Sequence, residues 1–92
     1  MSVQLLRADC ELPDRPSQIR CEAYLLGVVD TVSFLSILGE LKEKYFCLPE
    51  GTSEVGLRKV FVDHVATNTA VDPMESASSL VIHALGESFP CE

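Results

Sequence analysis

Apolar and polar residues recur along this chain with helical spacing almost throughout. Ser2 to Asp9 fits a short first helix, with Ser2 as N-cap and Val3, Leu5 and Leu6 available for packing. Glu11-Leu12-Pro13-Asp14-Arg15-Pro16 interrupts it, because two prolines and the residues before them resist helix. A long second helix is predicted from a Ser17 cap to about Lys44. At 100° per residue, Glu22, Ser33, Ser36, Glu40, Glu43 and Lys44 share one stripe, opposite Ala23, Leu38, Leu41 and Tyr45. Earlier in the same helix, Leu25, Leu26 and Val29 fall in the sector that turns polar further on. The N-terminal half is therefore apolar nearly all round. Either the first helix and the proline loop cover that surplus, or a second subunit does, with Leu25, Leu26 and Val29 in a homodimer interface.

Cys47-Leu48-Pro49-Glu50-Gly51 ends the second helix and turns the chain. Thr52 or Ser53 caps a third helix, with Glu54 near its positive end. Leu57, Val60, Phe61, His64 and Val65 then follow the spacing of one buried helical face. Ala66 to Val71 reads as a loop. Asp72-Pro73-Met74-Glu75 has the strongest start signal in the chain: an N-cap, proline at the first helical position, and a glutamate placed as in a capping box. Ala77, Leu80, Val81, Ala84 and Leu85 form the apolar face of this fourth helix, Phe89 continues it, and Pro90 stops it. The predicted fold class is all-α, a small up-down bundle of about four helices.

A chain of 92 residues builds one hydrophobic core, so residues 1–92 read as a single helical domain. At that size only about 60–65% of the unfolded surface is buried, and cross-links are a usual supplement. No apolar run approaches the roughly 20 residues that cross a bilayer. The net charge of −7, with no basic run longer than Arg58-Lys59, argues against nucleic acid and anionic membranes as partners. A basic protein would be steered in by the same field.

Four cysteines are spaced Cys10-x10-Cys21-x25-Cys47-x43-Cys91, without a paired C-x2-C knuckle, so a zinc finger is not indicated. An even number in a short chain points to two disulfides and an oxidising compartment. No apolar segment follows Met1-Ser2, which reads as a mature form with its export signal removed. A helix from residue 18 to 44 would rise about 40 Å and hold Cys21 far from Cys47. In an up-down bundle Cys91 returns beside Cys47 while Cys10 stays near Cys21. The expected pairs are Cys10–Cys21 and Cys47–Cys91, worth about 3 and 4 kcal/mol by chain-entropy arithmetic. A break at Gly39 would reopen Cys21–Cys47.

Little in the chain suggests catalysis. His64 lies on an apolar helical face, where a satisfied core histidine is the ordinary reading, and His83 lies off the strongest apolar stripe. Asp63 beside His64 points elsewhere on a helix. The five glycines are scattered rather than grouped into a phosphate loop. No catalytic residue, metal ligand or cofactor is assigned.

Three segments carry a resemblance. Cys21-Glu22-Ala23-Tyr24-Leu25-Leu26-Gly27-Val28-Val29-Asp30, Cys47-Leu48-Pro49-Glu50-Gly51-Thr52 and Ala84-Leu85-Gly86-Glu87-Ser88-Phe89-Pro90-Cys91 resemble, in order, three sequence blocks of the Tai-type immunity proteins. Ala23 stands where that family usually has glycine. The resemblance implies a periplasmic helical protein, typically dimeric, that occludes the catalytic cleft of a type VI secretion peptidoglycan amidase. Polar loop residues Glu50, Ser53, Glu54, Asn68, Asp72 and Glu75 are candidate toxin contacts, with capping and solvation as their ordinary roles. Two other classes stay open: a periplasmic chaperone or stress protein on a similar scaffold, and a small enzyme using a reduced cysteine. Thiol titration of the native protein separates the last from the rest. No reactive thiol is expected before reduction, and free thiols would restore the enzyme.

Overall fold

The computed structural model describes residues 1–41, 44–68 and 70–91. Four helices follow one another: α1 (Val3–Glu11), α2 (Arg15–Ile37), α3 (Glu54–Thr67) and α4 (Ala77–Ser88). Each packs most heavily on the next in chain order, whereas α2 meets α4 only lightly. Leu6, Cys10, Cys21, Leu25, Phe61 and Leu85 are at the centre of the shared core, with Val3 and Val81 beside them. The predicted face of α4 is buried at Ala77, Leu80, Val81, Ala84 and Leu85. On α3, Leu57, Phe61 and Val65 are buried, while Val60 and His64 are partly covered.

Helix starts depart from the sequence reading in two places. Asp14, not Ser17, caps α2: its Oδ2 accepts from the Ser17 backbone N–H at 3.0 Å and the Ser17 hydroxyl at 2.8 Å. Pro16 falls within the first turn, where a missing N–H costs nothing, so the helix begins across the proline. The second departure is at α4, which starts at Ala77 rather than at Pro73. Asp72 instead holds a turn, its Oδ1 accepting from Met74 N–H at 2.9 Å. The carbonyls of Pro73 and Glu75 are taken by the N-terminal segment: Gln4 and Val3 N–H donate to them, each at 2.9 Å. Ala77 N–H donates in return to the Met1 carbonyl at 3.0 Å. The starts of α1 and α4 thus satisfy one another's orphan backbone groups, and this long-range pairing overrides the local cap.

Helix α2 ends at Ile37, short of Lys44. Gly39 adopts φ +75°, and the N–H groups of Gly39 and Glu40 return to the carbonyls of Ser36 and Leu35, both at 3.1 Å. This is a glycine-terminated Schellman ending, which needs the left-handed backbone that glycine tolerates. The chain then runs on until Cys47 N–H donates to the Phe89 carbonyl at 2.9 Å. Despite the break at Gly39, Cys47 therefore arrives beside the end of α4 rather than at Cys21. Disulfides join Cys10 to Cys21 and Cys47 to Cys91, with Cα separations of 5.0 and 5.1 Å.

One carboxylate ties α2 to α3. Glu22, its side chain 8% exposed, accepts from Arg58 Nε at 2.9 Å and from both terminal nitrogens of Arg15 at 3.1 and 3.2 Å. The hydrogen bonds from Arg15 hold its carboxyl below the ordinary value of 4.5; burial opposes this, and Arg58 adds to it. A depressed folded value stabilises the fold above pH 4.5 and the contribution disappears as pH falls through it. Asp14, lowered by the Ser17 hydroxyl and backbone N–H, acts in the same direction. Replacing Glu22 by Gln should cost about 2–3 kcal/mol near neutral pH, less than a fully buried pair because Arg15 reaches solvent. The gap to wild type should narrow towards about pH 3, as measured by urea unfolding. An equal gap at both pH values would show that the charge of Glu22 is not what holds the two helices.

Candidate functional site

The light contact between α2 and α4 leaves an apolar groove of about 570 Å³. Tyr24, Gly27, Val28 and Val32 line it from α2, Ile82 from α4, and Tyr45 from the segment after α2. Its sequence origin is the run of α2 that is apolar on nearly every side, with a glycine at its middle that leaves space. Gly86 sets the far wall. A Cβ there would meet the Tyr45 carbonyl oxygen at 2.9 Å, so the absent side chain lets the backbone at Tyr45 lie directly on α4. The Cys47–Cys91 bond and the Cys47–Phe89 backbone hydrogen bond fasten that segment in place. Further along α2, Phe34, Ile37 and Leu38 are 61%, 83% and 54% exposed. The three follow i, i+3, i+4 spacing and so share a helix face.

The expected dimer residues are not one surface. Leu25 is 1% exposed and belongs to the chain's own core, so it offers nothing to a second subunit. Leu26 is exposed and Val29 partly covered. The sequence reading left two covers open for Leu25, the first helix with the proline loop or a second subunit, because α1 and α3 were not yet placed against α2. Once they are, Leu25 faces them, and the exposed apolar surface shifts to Phe34, Ile37 and Leu38.

The six polar candidates also divide. Glu50, Ser53 and Glu54 precede or begin α3, whereas Asn68, Asp72 and Glu75 follow it, and a helix of 14 residues separates the groups by about 20 Å. Ser53 Oγ caps α3 by accepting from Gly56 N–H at 3.0 Å. Asn68 Oδ1 accepts from Ala70 N–H at 3.1 Å, and Asp72 holds the turn described above. Glu75 contributes its carbonyl to α1. Glu50 and Glu54 are solvent-exposed.

A third feature escaped the sequence reading. His64 from α3 meets His83 and Glu87 from α4: His64 Nδ1 is 3.5 Å from Glu87 Oε2, and His83 Nε2 is 3.1 Å from Glu87 Oε1. The imidazoles lie edge to face with centroids 5.4 Å apart. His64 is not the satisfied core histidine the pattern suggested, because its enclosed Nε2 has no hydrogen-bond partner among the described residues. Leaving a buried polar nitrogen unpaired costs about 1–3 kcal/mol. His83 and Glu87 at i, i+4 were readable as one helix face. Nothing in the sequence indicated that His64 would approach from another helix.

The fold and site define a small cross-linked helical protein with an open apolar groove and exposed apolar side chains. The sequence profile of the Rap1a immunity proteins matches residues 2–91, and the chain belongs to that family, a Tai-like family of type VI secretion immunity proteins. Neither the curated proteins nor the solved structures contain a significant match. The family is not an enzyme family, and its members' role implies binding a cognate effector toxin. Family and disulfides together are consistent with an extracytoplasmic location, and no helix among the described residues is long and apolar enough to cross a membrane.

Gly86→Ala should displace the Tyr45 carbonyl and loosen the far wall of the groove, destabilising the protein by about 1–3 kcal/mol in urea unfolding. An unchanged midpoint would show that the backbone at Tyr45 does not pack on α4 this closely.

Proposed function

We propose that this protein is a periplasmic immunity protein that binds a type VI peptidoglycan amidase, covers its catalytic cleft, and acts as a homodimer. The observation that carries this reading is the match to immunity proteins over residues 2–91. Chemistry supports the finer parts. Two disulfides suit an oxidising compartment, and the periplasm is where a peptidoglycan amidase meets its substrate. A scaffold closed by cross-links enters a complex with little left to order, which favours tight inhibition by shape. The net charge of −7 steers a basic toxin surface towards it.

The second copy docks through the exposed face of Phe34, Ile37 and Leu38, in place of Leu25, with Leu26 at the margin. The polar groups at the two ends of α3 then remain available for the toxin, Glu50 and Glu54 at one end and Asp72 at the other. A periplasmic chaperone would present a similar groove, but it would protect many unrelated clients.

Mixing the purified chain with the amidase encoded beside its gene should abolish peptidoglycan cleavage at stoichiometric ratio, and light scattering of the free chain should give twice its 10.1 kDa. Undiminished cleavage would remove the amidase reading, and a monomer mass would remove the dimer.

A further inference from the structure

The geometry points to a transition-metal site at His64, His83 and Glu87, with Zn²⁺ the ion that fits best, an inference independent of the toxin the protein binds. One ligand atom from each residue lies within 4.8 Å of the other two. The closest approaches are 3.1 Å from His83 Nε2 to Glu87 Oε1 and 3.5 Å from His64 Nδ1 to Glu87 Oε2, one imidazole at each carboxylate oxygen. Tetrahedral zinc with bonds of about 2.0–2.1 Å sets neighbouring donors about 3.3–3.5 Å apart. A small rotation of exposed side chains suffices to complete the set.

Two imidazoles and one carboxylate select for Zn²⁺ against Mg²⁺ or Ca²⁺, which prefer oxygen donors. Placement supports the assignment. His83 and Glu87 stand one turn apart on α4, and His64 reaches them from α3 with its side chain nine-tenths buried. Packing therefore fixes one ligand, while the other two are free to adjust. His64 turns Nδ1 towards Glu87, so Nδ1 is the donor it offers to an ion.

His83 and Glu87 are 58% and 60% exposed, so the fourth position opens to solvent. The bound ion clamps α3 to α4, adding a third cross-link to a scaffold that already has two.

The test uses the tag-free, disulfide-bonded chain, titrated with ZnCl₂ alone by calorimetry, with MgCl₂ as control. One Zn²⁺ per chain is expected, with a Kd of about 10 μM or tighter and an accompanying rise in melting temperature. His83→Ala changes an exposed residue and should fold normally, yet weaken binding at least about tenfold, a loss of about 1.4 kcal/mol. Glu87→Gln should do the same. His64→Gln should abolish binding, with circular dichroism confirming its fold; if it does not fold, His83→Ala decides. Absence of saturable zinc binding, or wild-type affinity in His83→Ala, overturns the site.

Discussion

Covalent closure is the constraint on which this small scaffold depends. The Cys10–Cys21 bond holds α1 on α2 across the proline turn, and the Cys47–Cys91 bond brings the segment after α2 against the end of α4. A chain of 92 residues has limited apolar surface to bury, and both bonds restrict the unfolded ensemble that competes with the fold. With those two points closed, the core needs only to fill the space between the helices. Apolar side chains are then left over for the groove and the exposed face of α2.

Polar contacts complete what the disulfides begin. Glu22 draws Arg15 from the start of α2 and Arg58 from α3 onto one carboxylate. The starts of α1 and α4 share their backbone groups, which fixes the first residues of the chain to the turn before α4. Each device joins elements distant in sequence where a small core would be weakest. The result is a cross-linked frame beside an open groove.

The loose contact between α2 and α4 has a structural cause and a functional consequence. Helix α2 packs mainly on α1 and α3, so its remaining apolar residues meet α4 only lightly. Gly27 leaves space beside α2, and Gly86 lets the segment at Tyr45 come close enough to α4 to form a wall. Apolar side chains left open in this way are surface whose desolvation on association contributes affinity.

Helix number and type, the buried faces of α3 and α4, the acidic charge and the need for cross-links were legible in the sequence, because periodicity, composition and cysteine count are local or additive properties. Ser2 and Ser53 were recognisable as caps for the same reason, since each bonds a backbone group three residues away. What required the tertiary structure were the features that depend on which helix meets which. The cap signal at Asp72 lost to backbone pairing with the first residues of the chain. Which cover Leu25 has, the chain's own core or a second subunit, was decided only once α1 and α3 were placed, and the six polar candidates separated to the two ends of α3. The approach of His64 to His83 and Glu87 is of the same kind. Residues 19 and 23 positions apart carry no spacing rule that reveals it, because their distance is set by how two helices pack and not by the geometry of either one.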